Sequence, residues 1–172
     1  MDHTRSYAAI ERADLRRLAH LAQEDREDFF ARHPEFSILY SRRLLCVALC
    51  DDAALHYVNG VTGVAEFSVW SFYAEHAEAP FPFHLVGHAD FGKSKFERAP
   101  DAPETYQGRR VALRGRSIDA AAGSDALSAL QNYLKAGASP SARELSQKAV
   151  ILISPDDLCG IHAWPSLAIL PR

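Results

Sequence analysis

The sequence predicts one α/β domain, of the α+β kind, with a small mixed sheet, an N-terminal helical segment and two C-terminal helices. The 172 residues suit a single domain that buries its own core. The apolar run 44–50 is bounded by polar residues, which is typical of a central strand covered on both faces. Segment 66–74 is rich in aromatic and β-branched residues, which indicates a second strand. Helical spacing of apolar residues at both ends of the chain completes the pattern.

The remaining elements follow in chain order. Apolar positions at helical spacing predict a helix or helix pair over about 8–33, which the following Pro34 ends. After the first strand, residues 53–58 read as a short helical turn that Asn59–Gly60 stops. Alternating polar and apolar residues predict a third strand at 109–118. The C-terminal helices are expected at about 125–136, ended by glycine, and at about 141–150, in a sheet of about three to five strands.

Composition excludes several classes of protein. Hydrophobic residues make up 48% and charged residues 24%, which is typical of a folded chain rather than a disordered one. A formal charge of −3 gives no basic field that would recruit nucleic acid. The sequence has no signal-peptide core and no run of about 20 apolar residues, so no membrane association is expected. Three cysteines are too few for a disulfide framework, which predicts a cytoplasmic protein with reduced thiols.

The stretch GHADFGKS, Gly87–Ser94, fits the written pattern of a phosphate-binding loop. Such a loop needs a strand before it and a long helix after it, because the helix N-terminus faces the anion. Pro100 leaves barely one turn after Ser94, and Asp90 brings a negative charge into the loop. The sequence therefore favours a glycine turn between an edge strand and a loop, with Lys93 and Ser94 kept as candidate ligand-binding residues.

The order of the predicted elements has a precedent. A strand is followed by a polar turn with a short helix, then by a second strand opened by an acidic residue, and then by a third strand. This order resembles the core of the nucleotidyltransferase-fold (polymerase beta-like) superfamily, and the chain is similar to a degenerate bacterial member of it. The resemblance implies that the turn after the first strand holds a nucleotide triphosphate. It also implies two carboxylates, one residue apart, at the start of the second strand and a third carboxylate on a later strand. In the family these carboxylates hold two Mg²⁺ ions for phosphoryl transfer.

Carried over by position, the turn falls at residues 50–53, the carboxylate pair at Glu66 and Ser68, and the third carboxylate at Ala112. Only Glu66 of these metal positions is acidic, and Asp51 and Asp52 put negative charge where phosphates belong. The resemblance thus implies a catalytically degenerate domain, without a cofactor, that serves in binding or assembly.

Two alternatives remain open. The first is an active, Mg²⁺-dependent nucleotidyl- or phosphotransferase that uses Glu66, Asp51 and Asp52, with Asp90 as a further carboxylate. The second is an α/β interaction protein that has no small-molecule ligand and whose partner is unknown.

Basic residues on the third strand give a further candidate site. Arg109 and Arg110 open the strand, and Arg114 and Arg116 share one face of it. They are interpreted either as a clamp for an anion such as phosphate or as the solvated side of a half-covered strand.

Histidine and cysteine suggest metal sites. His84, His88 and Asp90 are spaced to lie on one side of an extended chain, so they are metal-ligand candidates beside the alternative of ordinary loop residues. Cys46 and Cys50 are expected to be buried core residues of the first strand rather than zinc ligands, and Cys159 to be exposed.

Several aromatic residues fall in proline-rich loops, where burial is harder to achieve than in a strand. These are Phe81, Phe83, Phe91 and Phe96. They are candidates for a pocket wall or for a patch through which the chain forms a homo-oligomer.

Overall fold

The computed structural model describes residues 4–82 and 86–165. The described residues form five helices, six strands and one 3₁₀ turn at Asp156–Leu158. The helices are α1 (Arg12–Arg32), α2 (Pro34–Tyr40), α3 (Asp51–Asn59), α4 (Ala126–Ala136) and α5 (Pro140–Leu145). The strands are β1 (Leu44–Cys50), β2 (Phe67–Ala74), β3 (Gly87–Asp90), β4 (Arg110–Ile118), β5 (Val150–Ser154) and β6 (His162–Trp164).

The six strands form one mixed sheet in the order β3-β4-β2-β1-β5-β6. Only β2 and β4 run parallel, and every other neighbouring pair is antiparallel. The central strand β2 is buried along its whole length, as its aromatic and β-branched composition predicts.

The long helix α1 covers one face of the sheet. Its first turn is fixed by a capping box in which the carboxylate of Asp14 accepts from the backbone N–H of Glu11 at 2.7 Å. Four buried residues at helical spacing face the strands: Leu15, Leu18, Leu21 and Ala22. They pack with the odd-numbered side chains of β2, Phe67 and Val69, so this face is closed by apolar contacts.

Helices α4 and α5 cover part of the opposite face. Asp125 caps α4 by accepting from the N–H of Ser128 at 2.9 Å, and Gly137 ends it with a φ of 58°. The apolar residues of both helices pack against even-numbered residues of the sheet, among them Cys46, Cys50, Trp70 and Phe72. Burial raises the pKa of Cys46 to about 12, and both strand cysteines are core residues, as expected.

The α+β class and the three central strands are confirmed. The expected length of the last helix is wrong, because α5 ends at Leu145 and Val150 opens β5, where it pairs with Trp164. The sheet has six strands instead of three to five, since β3, β5 and β6 are too short for a clear periodic pattern.

Two expectations about exposure are also wrong. Cys159 is 5% exposed and lies in the core beneath α1. Phe81, Phe91 and Phe96 are buried, because the loops that carry them fold back onto the α1 side of the sheet. Phe83 lies outside the described residues. The homo-oligomer itself stays a prediction, without these three rings as its exposed surface.

Candidate functional site

Three strand ends meet at one edge of the sheet. The C-terminal end of β1 lies beside the N-terminal end of β2, because the two strands are antiparallel, and β4 begins next to β2, because those two are parallel. In this register Cys50 is opposite Ser68, and Ser68 is opposite Ala112. The three positions that the resemblance singles out are therefore direct neighbours.

A cavity of about 380 Å³ opens at this edge, and we call it the strand-end pocket. Its lining comes from the N-terminal segment, the β1–α3 junction, the start of β2, the loop before β4 and the first residue of β4. The lining residues are Thr4, Asp51, Asp52, Ala65, Glu66, Ser68, Ala99, Asp101, Ala102 and Arg110. Four of the ten side chains are carboxylates and one is a guanidinium, so the pocket is acidic.

The junction at Asp51 sets the position of two of these carboxylates. Strand β1 passes into α3 without a connecting loop, and Asp51 accommodates the change of direction with a φ of 59°. Aspartate is one of the few residues other than glycine that adopt this left-handed conformation. Both acidic residues of the junction occupy the first turn of α3, where the helix dipole stabilises negative charge.

The carboxylate of Asp52 is held by two basic residues. Lys148 donates to it at 2.7 Å and Arg5 at 3.1 Å. The hydrogen bond from Lys148, and that from Arg5 after it, holds the pKa of Asp52 below its usual range against the opposing effect of burial. Asp52 thus ties α3 to the N-terminal segment and to the start of β5. By contrast, Asp51, Glu66 and Asp101 form no ion pair among the described residues.

The walls of the pocket are held together by Arg109, which is 2% exposed. Its guanidinium donates to the backbone carbonyls of Thr4 (2.6 Å), Val64 (3.1 Å), Ala65 (3.2 Å), Phe96 (3.2 Å) and Glu97 (3.1 Å). This one side chain joins the N-terminal segment, the approach to β2 and the loop before β4. The alternation along β4 contains the signal for it, because Arg109 shares its face with buried Val111 and Leu113.

His56, a buried residue of α3 that is 2% exposed, supports the same region. Its Nδ1 accepts from the backbone N–H of Gly63 at 3.1 Å, and its Nε2 lies 3.0 Å from the carbonyl oxygen of Ala8. The pair of contacts fits the tautomer with the proton on Nε2. The sequence does not single out His56, and it suggests an anion clamp or a solvated face for Arg109; in the structure both side chains position the chain around the pocket.

One polar group at the floor of the pocket has no partner. Ser68 is 4% exposed, and its hydroxyl forms no hydrogen bond within the described part of the chain. Its neighbours Phe67 and Val69 point into the core beneath α1, so the Ser68 side chain faces the opposite side, which it shares with Arg110. A buried hydroxyl without a partner costs about 1–3 kcal/mol, which a suitable ligand would recover.

The predicted candidates are only partly brought together. Asp51, Asp52 and Glu66 line one pocket, together with Asp101, which the sequence analysis did not single out. Arg110 joins them, whereas Lys93 and Ser94 do not line it. Asp101 sits in a proline-rich loop with no periodic pattern, so nothing in the sequence connects it to the strand ends.

The other basic candidates lie along β4. The guanidinium of Arg114 lies 5.7 Å from the ring centre of Trp70, and that of Arg116 lies 5.1 Å from the ring centre of Tyr133. The sheet face that carries them is partly exposed. Their interpretation as an anion clamp stays a prediction.

Neither His88 nor Asp90 lines the strand-end pocket, although Asp90 pairs with the lining residue Arg110 across β3 and β4. His88 is exposed on β3, Asp90 ends that strand, and His84 lies outside the described residues. Within ranges 4–82 and 86–165, no group of three or more histidine, cysteine, aspartate or glutamate side chains is arranged to hold a metal ion.

The GHADFGKS stretch forms strand β3 and a loop, and the next helix after Ser94 begins only at Ala126. The carboxylate of Asp90 accepts from the backbone N–H groups of Gly92 (2.9 Å), Gln107 (2.7 Å) and Gly108 (2.9 Å). Burial acts to raise the pKa of Asp90, but these three donors together hold it below its usual range. Gly92 has a φ of 94°, which favours glycine. A Cβ on Gly108 would lie 1.9 Å from the carbonyl oxygen of Gly92, so only glycine fits there. The two glycines thus close the loop on itself.

Comparison with protein-family models, curated proteins and solved structures gave no match. No helix in the described ranges has the length and apolar character needed to cross a membrane.

Proposed function

We propose that this protein is a small-molecule-binding domain with a nucleotidyltransferase-like core that has lost metal-dependent phosphoryl transfer. The observation that carries the proposal is the register at the strand-end pocket. Positions 50, 68 and 112 are neighbours across β1, β2 and β4. This supports the proposal, because the resemblance requires its triphosphate turn and its metal carboxylates to lie close together.

The donor set at these positions does not fit the family's metal ions. Two Mg²⁺ ions require oxygen ligands in near-octahedral arrangement, and the carboxylates must also offset the charge of the substrate. Here Glu66 is followed by the hydroxyl of Ser68 and the methyl group of Ala112, both buried. The cavity is retained while two of the three metal ligands are absent, which supports binding without turnover.

A second candidate is an active metal-dependent transferase. It is favoured by one observation, that Asp51, Asp52 and Glu66 line the same cavity. Because Asp52 is held by Lys148 and Arg5, it would have to leave these partners to bind a metal ion. An interaction protein without a small-molecule ligand is the third candidate, and an unused pocket would favour it.

Turnover separates the binding domain from the active transferase. We expect no pyrophosphate or phosphate release from ATP, GTP, CTP or UTP in Mg²⁺ or Mn²⁺. Turnover that Glu66→Gln abolishes and the exposed control Glu24→Gln retains would overturn the proposal in favour of the active enzyme.

A restoring variant tests the resemblance itself. In Ser68→Asp/Ala112→Asp the two missing carboxylates would lie beside each other and close to Glu66. We expect this variant to melt below the wild type in EDTA, because it buries two adjacent charges, and to regain stability in Mn²⁺. Equal melting temperatures of the variant in EDTA and Mn²⁺ would contradict the proposed arrangement.

A further inference from the structure

We propose that the ligand of the strand-end pocket is a small organic polyamine, a flexible cation with two or more ammonium groups joined by methylene chains. This inference rests on the proposed function, because it names the ligand class of the same pocket. It is carried by the charge of the lining, by the unpartnered hydroxyl of Ser68 and by the size and mixed character of the cavity.

The charge of the lining selects a cation. Arg5 and Lys148 already pair with Asp52. The other carboxylates of the lining, those of Asp51, Glu66 and Asp101, outnumber its one guanidinium, that of Arg110. A nucleotide triphosphate would bring further negative charge to these three carboxylates. An ammonium group placed among them would form charge-assisted hydrogen bonds, which are about twice as strong as neutral ones.

Ser68 provides an independent indication of a hydrogen-bonding ligand. Its hydroxyl is buried at the floor of the cavity and has no partner in the described chain, although buried polar groups are nearly always paired. An ammonium group has three donors, and the hydroxyl oxygen is a suitable acceptor for one of them.

The dimensions favour an organic cation over a bare metal ion. A cavity of about 380 Å³ is in the range of small-molecule sites, and its carboxylates come from three separate segments of the chain. Ala65, Ala99 and Ala102 line the same cavity and give its wall an apolar component. Methylene segments would pack against the alanines while the ammonium groups reach the carboxylates.

Spermidine is the probe for this inference. Isothermal titration at constant ionic strength should show one spermidine per chain, and spermidine should raise the melting temperature more than Mg²⁺ of equal ionic strength does. We expect Glu66→Gln and Asp101→Asn each to weaken binding by about tenfold, because each removes a charge-assisted contact. The matched control Glu24→Gln removes an exposed carboxylate on α1 and should bind as the wild type does.

Two further variants give results of opposite sign. Arg110→Met should strengthen spermidine binding, because it removes the one positive charge of the lining. Ser68→Ala should weaken binding without lowering the melting temperature of the free protein, because its hydroxyl has no partner to lose.

The outcomes separate this inference from the proposed function. Failure to bind spermidine, or equal binding by the wild type, Glu66→Gln and Asp101→Asn, would overturn the polyamine assignment. The proposed loss of phosphoryl transfer does not depend on that result and is tested by nucleotide turnover. Metal-dependent turnover of a nucleotide would overturn the proposed function whatever the spermidine titration shows.

Discussion

In the stretch Gly87–Ser94, the carboxylate of Asp90 accepts hydrogen bonds from backbone N–H groups of its own loop. At the β1–α3 junction, the carboxylates of Asp51 and Asp52 line a cavity instead. The first region fits a written phosphate-loop pattern and the second fits no such pattern closely. The comparison shows that the surrounding elements decide whether the polar groups of a motif can bind a ligand. Where a strand runs directly into a helix, the side chains of the junction are exposed to a cavity. Where a loop closes on itself, its polar groups are used in hydrogen bonds within the loop.

The largest loss in the free energy of unfolding is expected from Arg109→Met. Arg109 joins the pocket walls to the loop before β4, so its loss removes the side-chain donor from carbonyls such as those of Ala65 and Phe96. Each buried carbonyl left unpaired costs about 1–3 kcal/mol. We expect a loss of about 3 kcal/mol or more, which lowers the melting temperature by about 6–12 °C. Urea or thermal unfolding measures it. The stability of the neighbouring variant Arg110→Met should stay within about 0.5 kcal/mol of that of the wild type. Equal losses of stability for both variants would contradict the structural role given to Arg109.

A smaller effect is expected from Asp90→Ala, which removes the acceptor of three backbone N–H groups. We expect a loss of about 1.5–3 kcal/mol at pH 7, typical of hydrogen bonds to a charged group. Because the pKa of folded Asp90 lies below its usual value, its contribution is present above the unfolded pKa of about 3.9. It is lost as the pH falls through the lower folded pKa.

Urea unfolding at pH 7, 5 and 3 checks the effect of Asp90. The difference between wild type and Asp90→Ala should shrink below about pH 4. Lys93→Ala, in the same loop, alters an exposed side chain and is the control, with an expected change within about 0.5 kcal/mol. A difference that is independent of pH would show that the carboxylate charge does not stabilise the loop.

The smallest effect concerns the backbone at Asp51. A glycine in a helix normally makes a protein less stable than an alanine at the same position does. The φ of 59° at Asp51 reverses that order, because alanine is strained in the left-handed region. We expect Asp51→Gly to be more stable than Asp51→Ala by about 1 kcal/mol. Both variants lack the carboxylate and should lose spermidine affinity equally. An Asp51→Ala variant as stable as Asp51→Gly would contradict the strained junction.

The central sheet could be predicted because its strands carry strong local signals. The apolar run of β1, the aromatic residues of β2 and the alternation of β4 each specify a strand within one residue of its observed bounds. Short β3 and β6 carry only four and three residues, so their pairing depends on neighbours that local patterns do not reveal. The overlong prediction for α5 fails for the same reason, because pairing of Val150 with Trp164 is a tertiary contact.

The candidate site could be predicted only where residues adjoin a recognisable strand end. Asp51, Asp52 and Glu66 were found in this way. Asp101 comes from a loop with no pattern, and the unpartnered hydroxyl of Ser68 appears only once the surrounding atoms are placed. Arg109 was interpreted as part of an anion clamp or a solvated face, although the alternation of β4 puts it on the buried side.

The most direct test of the central claim is an NMR titration of backbone amides with spermidine and, separately, with Mg²⁺ and ATP. The account predicts that spermidine shifts the amides of Asp51, Glu66, Ser68 and Asp101 and leaves those of Lys93 and Ser94 unchanged. It also predicts that Mg²⁺ with ATP causes no clustered shift at either region. Shifts induced by Mg²⁺ with ATP at the strand-end pocket, or at 87–94, would contradict the account and assign the nucleotide to that region.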